Sequence, residues 1–135
     1  RDVLGSRGLG DVYKRQIGDH AVNLAEYGDD MRKWEIDFSD TVKEELNEMK
    51  AQCIAALDNL KEVTSENVER ILSQAVIIEQ KTDDMRDKYF KKQMQRLKKG
   101  KCKPQSGIVF SEILTDFERM GDHALNIAQQ YREME

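Results

Sequence analysis

Apolar residues recur along this chain at helical intervals, and three runs stand out. Val42, Leu46, Met49, Cys53, Ala56, Leu60 and Val63 are spaced 4, 3, 4, 3, 4 and 3 residues apart. That is the stripe of a helix buried along one face, and it predicts about 24 helical residues. Ser39 stands where its hydroxyl can accept from the free amides of the first turn. A second helix is predicted from near Ser65, with Glu66 in the positive first turn. Val68, Leu72, Ala75, Ile78, Met85, Tyr89 and Leu97 supply its apolar contacts, and Gly100 ends it after Lys99. At 1.5 Å per residue it is roughly 50 Å long, a length typical of bundles. Pro104 suits the first turn of a third helix over about 104–134. Val109, Ile113, Phe117, Met120, Ala124, Ile127 and Tyr131 form its stripe. Residues 17–33 read as a truncated helix before these three. Short connections between long amphipathic helices favour antiparallel neighbours. The expected class is therefore all-α, an antiparallel three-helix bundle preceded by the end of another helix.

The first sixteen residues, RDVLGSRGLGDVYKRQ, do not share this pattern. They hold no helical apolar period and no apolar run of the kind a signal peptide needs. Asp11–Gln16 can be encoded by GAT GTG TAT AAG AGA CAG, which resembles a transposon end used in sequencing libraries. Ser6–Gly10 fit the adapter before it, and Arg1-Asp2 fit an outer primer. Residues 1–16 are expected to be translated adapter, with the native chain extending upstream; a genuine flexible N-terminus is the alternative.

The chain of 135 residues has a formal net charge of −4. Without residues 1–16 it holds 18 basic residues against 24 acidic ones, a net charge of −6. That balance argues against nucleic acid as a partner, since phosphate neutralisation needs clustered Lys and Arg. The run KKQMQRLKKGKCK (91–103) is the local exception. A solvated helix end, with cations near the negative C-terminal dipole, explains it more simply than a nucleic-acid or lipid patch. Cys53 lies in an apolar stripe and reads as a small core residue, while Cys102 reads as an exposed loop thiol. The two sit in contexts too different to suggest a pair, which fits a reducing compartment. No apolar run approaches the roughly 20 residues that cross a bilayer.

The chemistry sits in a repeat. IGDHAVNLA (17–25) and MGDHALNIA (120–128) agree at six of nine positions and lie 103 residues apart. In DFERMGDHALNIA (116–128), Glu118, Asp122 and Asn126 fall at i, i+4, i+8 on one helix face. Gly121 would open space beside them. Glu79 and Asp83 make a second acidic pair one helix earlier, and Asp87 extends it by a turn. Facing ridges of oxygen donors could hold a hard cation such as magnesium, calcium, manganese or iron. From spacing alone, solvated faces laced with Lys and Arg remain the commoner explanation. His20 and His123 recur at equivalent places. The Glu-x-x-His pairs of di-iron bundles are absent, because Met120 stands three residues before His123. No Gly-rich phosphate loop, paired cysteine ligands or nucleophile–base arrangement is visible, and no enzyme is expected.

DFERMGDHALNIAQ resembles the signature helix of the PhoU family of phosphate-uptake regulators, and EQKTDDMRD (79–87) resembles that family's acidic second helix. The resemblance implies two tandem three-helix bundles with metal-binding Glu/Asp-x-x-x-Asp motifs. Residues 17–35 would then end the motif helix of a first repeat, and 36–135 would be a complete second one. The implied ligands are Glu79, Asp83, Glu118 and Asp122, with Asn126 in support. Asp19 and Asn23 would serve the first repeat. There the pattern breaks, because Arg15 and Gln16 stand where Glu118 and Arg119 stand in the second copy. The implied metal is iron, manganese, magnesium or zinc.

The loop Gly100-Lys101-Cys102 and the helix start SGIVF (106–110) are similar to the C-terminal PhoU-like domain of symporters of the Na/Pi-cotransporter family. That likeness implies a cytoplasmic regulatory domain of an inner- or plasma-membrane protein, acting on a phosphate transporter in the same chain, with a homodimer as a further partner arrangement. A stand-alone regulator of an ATP-driven phosphate transporter and a sensor kinase is the alternative. A purely structural helical module and a carboxylate–metal enzyme are the others.

Overall fold

The computed structural model describes residues 38–60 and 63–134, and before them 15, 18–19, 22–23, 25–30 and 32–33. Three helices carry the fold: α1 (Asp40–Asn59), α2 (Val68–Lys98) and α3 (Pro104–Met134). Side-chain links set their directions. Glu45, Glu48 and Asn59 of α1 meet Arg96, Tyr89 and Ile71 of α2, so rising numbers on one helix meet falling numbers on the other. On α3, Gly107 lies against Leu97 and Gly121 against Thr82 in the same antiparallel sense. The chain is thus an up-down-up bundle, as the apolar stripes predict. The described residues between 15 and 33 are helical as well, and Arg15 shares that state. Most of residues 1–16, with the adapter reading they carry, lie outside the described residues, as does His20.

The core follows the stripes with informative exceptions. Phe38, Met49, Cys53, Tyr89, Phe110, Leu114 and Phe117 belong to one buried cluster. The Phe38 and Phe110 rings meet edge to face at 6.1 Å and 72°. That geometry sets the electropositive edge of one ring on the face of the other. Cys53 is the core residue expected of it. Its Sγ donates to the Phe117 carbonyl at 3.3 Å, and burial pushes its thiol pKa up to about 12. Ile71, Leu72, Ala75 and Ala128 make a second cluster, with Leu60 and Val63 packed against it.

The helix ends depart from the sequence expectations. α1 closes at Asn59, not near Val63, because the Leu60 amide turns back to the Leu57 carbonyl at 3.1 Å. Asn59 Nδ2 then donates to the Ile71 carbonyl at 3.0 Å, drawing the chain across to α2. At the other end Ser39 Oγ accepts from the Val42 amide at 3.3 Å, the cap expected of it. α2 begins at Val68, not at Ser65. The Asn67 side chain accepts from the Thr64 amide at 2.7 Å and holds residues 64–67 as a turn. The Gly100 stop is built as expected. Gly100 adopts φ 67°. Its amide donates to the Leu97 carbonyl at 3.1 Å, and the Lys101 amide reaches the Arg96 carbonyl at 2.9 Å. This paired closure needs a left-handed residue, which glycine adopts without steric cost. Gly100→Ala should therefore lower stability by about 1–2 kcal/mol, read as a shifted denaturant midpoint at unchanged slope.

Polar side chains in the core went unpredicted. Glu45 is buried beside the α1 stripe, where Arg96 reaches it from α2 at 2.6 Å. Gln93 is buried in turn, and its Oε1 accepts from Arg96 Nη1 at 2.8 Å. Removing the arginine would strand a buried carboxylate. Arg96→Ala should cost about 3 kcal/mol of stability, and adding Glu45→Met should recover most of that loss in a denaturation series.

Candidate metal centre

The antiparallel pairing of α2 and α3 brings carboxylates of the two acidic ridges together. Glu79 and Asp83 sit one turn apart on α2, and Asp122 faces them from α3. One ligand oxygen from each lies within 4.8 Å of the others, and all three residues are half-buried. Gly121, next to Asp122, is buried against α2. A Cβ there would rest on the Thr82 side chain at 3.7 Å, an ordinary contact. The glycine therefore lines a close helix–helix approach and does not open space beside the acids. Thr82 is itself buried and donates its hydroxyl to the Ile78 carbonyl at 2.8 Å, keeping that approach free of an unsatisfied polar group.

The trio carries more negative charge than its surroundings neutralise. The Glu79 carboxyl is pushed up to about 7. A hydrogen bond with Asp83 is the main cause, followed by burial and by the charges of Asp83 and Asp122. Burial also raises Asp122. Its hydrogen bond with Glu79 and the neighbouring His123 act in the other direction. A proton on Glu79 lets the crowded carboxylates coexist, and a bound cation would do the same more strongly. Three hard oxygen donors on two rigid helices fit a divalent or trivalent cation, with water completing its shell.

The other expected ligands take different places. Glu118 lies beside the trio, but its carboxylate is engaged by Arg86 Nε at 2.7 Å. Its pKa is raised, chiefly by burial, with Arg86 opposing and Asp83, Asp122 and Asp87 adding to the rise. Asp87 is exposed and accepts from Arg86 Nη1 at 3.2 Å. Asn126 is exposed one turn beyond Asp122. Asp19 is exposed, Asn23 is half-buried, and Asp19 joins no group of three such ligands among the described residues. Arg86 was missed in the sequence, where it is one cation among many on a charged helix. Tyr27 and Asp116 were missed too. Burial and a hydrogen bond to the buried Asp116 raise the Tyr27 hydroxyl to about 12, which ties the segment before α1 to α3.

The described residues form a helical bundle with carboxylates converging from neighbouring helices. Residues 46–131 match the PhoU domain, and the chain belongs to that family. No curated protein and no solved structure matches it. The family is regulatory and non-catalytic, and it places the chain in the regulation of phosphate uptake. No helix among the described residues is long and apolar enough to cross a membrane.

The crowding of the trio has a consequence for stability. Between the ordinary carboxyl value of 4.5 and about 7, the folded chain holds a proton on Glu79 that the unfolded chain has released. Stability of chelator-treated protein should therefore fall as pH rises through that window. Asp83→Asn should flatten the fall, as read from denaturant midpoints at a series of pH values.

Proposed function

We propose that this chain is the metal-binding, cytoplasmic regulatory domain of a sodium-dependent phosphate transporter. The observation that carries the metal reading is the convergence of Glu79, Asp83 and Asp122 within 4.8 Å across α2 and α3. In this reading the three carboxylates hold a cation, one of iron, manganese, magnesium or zinc. Glu118 supports them from the next turn, poised between the metal and Arg86. Asn126 lies too far toward solvent to be more than an outer contact. Asp19 and Asn23 belong to the matching site of a preceding repeat whose motif helix ends in residues 17–35, leaving 36–135 as one repeat. A bound cation would neutralise the charge that opposes α2–α3 packing at the trio. Metal occupancy and bundle rigidity are then linked, and rigidity is what a transporter contact can read.

The transporter assignment rests on the likeness of the 100–110 segment to symporter-borne domains. The stand-alone regulator is the rival. Reading the source DNA upstream of the Ile17 codon separates the two. Several apolar segments of about 20 residues are expected. A three-helix repeat opening the frame would make the chain a stand-alone regulator.

The metal reading is tested on purified protein. Elemental analysis should find a stoichiometric transition metal or show its uptake on addition. Asp122→Asn should weaken that binding at least about 100-fold while the helical circular-dichroism signal is kept. Undiminished metal in the variant would sink the ligand assignment.

A further inference from the structure

A second feature lies at the other end of the bundle. A cavity of about 410 Å³ opens where α2 ends and α1 and α3 begin. Arg96 of α2 is about 20 Å along that helix from Asp83, counting 1.5 Å per residue. The cavity and the acidic trio are therefore separate places. Arg96, Lys101 and Lys103 line it, together with the hydroxyl-bearing Ser39 and Ser106, and no carboxylate is among the described residues that line it. A second, more open depression of about 270 Å³ shares Arg96 and Lys101 and adds Lys92 and Lys99. In an acidic chain this concentration of cations around a concavity is a departure that the solvated-helix-end explanation does not cover. That explanation accounts for cations on α2 but not for those beyond the Gly100 turn, which face the same hollow.

The cavity is also built. Gln93 is 1 % exposed and fixes Arg96 through the 2.8 Å bond to Nη1, while Glu45 holds Nη2 at 2.6 Å. The arginine is thus held in place before any ligand arrives. Among the described residues Glu45 offsets one of the three lining charges, leaving two in excess. Ser106 sits in the first turn of α3, where backbone amides lack intrahelical acceptors and the helix dipole is positive. The Gly100 turn sets Lys101 and Lys103 on the rim. A fixed guanidinium, two exposed ammonium groups, hydroxyls and a helix N-terminus together suit a compact multivalent oxyanion.

We propose that this cavity binds a phosphoryl group, carried by a small soluble anion and seated between Arg96, Lys101, Lys103 and Ser106. The concave shape favours a soluble ligand over a flat lipid surface, although a lipid headgroup would offer the same chemistry. The proposal does not depend on the metal reading, since none of its residues belongs to the acidic trio.

The test uses chelator-treated full-length chain, so that no metal at the trio can recruit the anion. Inorganic phosphate is titrated by calorimetry. Saturable one-to-one binding is expected, weakened about tenfold or more by K101Q/K103Q with the thermal midpoint unchanged. The control K88Q/K91Q removes two charges from α2 outside the cavity and should bind as the unaltered chain does. Cys102 lines the same cavity and serves as a second readout. Phosphate should slow its alkylation by iodoacetamide in the unaltered chain and not in K101Q/K103Q. No saturable binding up to about 10 mM phosphate, weaker than any affinity worth about 3 kcal/mol, overturns the proposal. Equal loss in both double variants overturns it as well, because general charge would then explain the effect. Binding only to vesicles containing phosphatidic acid, with none to free phosphate, replaces the cavity ligand with a membrane surface.

Discussion

The close approach of α2 and α3 is the constraint on which the rest of the molecule depends. Two glycines of α3, Gly107 and Gly121, face α2 fourteen residues apart, close to four helical turns, so they share one side of the helix. A Cβ on Gly107 would come within 2.9 Å of Leu97 Cδ1, and one on Gly121 would reach Thr82 at 3.7 Å. The upper contact is tighter than a side chain tolerates without Leu97 moving, and the lower one is a normal fit. Next to Gly121 the helices lie near enough for Asp122 to join Glu79 and Asp83. The packing that buries Phe110, Leu114 and Phe117 thus also sets the spacing of the acidic trio.

Electrostatics divides the bundle along its length. Partway along, three carboxylates converge, and the Glu79 carboxyl is pushed up to about 7. At the end where α2 stops, cations gather around a cavity. Each concentration is held by a polar contact, half-buried at the trio and buried at the cavity. Arg86 restrains Glu118 beside the trio, and the Gln93–Arg96–Glu45 network fixes the wall of the basic cavity. Stranding the buried Glu45 carboxylate is costly, so its pairing with Arg96 restricts the register in which α1 and α2 can pack. Tyr89 belongs to the same scheme. Its hydroxyl donates to Glu48 across α1 and α2, and burial raises its pKa well above the usual phenol range.

Much of this was legible in the sequence. The stripes on α1, α2 and α3 name most of the core, because apolar spacing reports directly which face is buried. The Gly100 stop, the Ser39 cap and the Pro104 start were readable for the same local reason. The i, i+4 spacing of Glu79 and Asp83 marked an acidic ridge on α2, but spacing alone favoured a solvated face, and only the packing of α3 places Asp122 beside it. What the sequence hid was pairwise and long-range. Glu45 looks like any solvent-facing glutamate until Arg96, 51 residues on, is placed beside it. Gln93 and Thr82 are buried because of what they bond, which periodicity does not encode. Glu118 was expected as a ligand on the strength of its motif, but its pairing with Arg86 depends on a neighbouring helix. Val63 continued the α1 stripe in sequence, yet the chain had already turned at Leu60, where side-chain bonding to α2 outweighs the heptad pattern. Cys102, expected to be exposed, is half-buried at the basic cavity, because the Gly100 turn folds the loop back over the end of α2.

The central claim is that the α2–α3 seam is a cation site made by three carboxylates. Anomalous diffraction from a crystal soaked in manganese tests it directly. The account predicts a peak with Glu79, Asp83 and Asp122 oxygens at about 2.0–2.6 Å, and Glu118 within reach of one of its waters. A manganese peak elsewhere, or none at the seam while the trio stays in place, would contradict it and leave the acidic ridge as a charged helix seam alone.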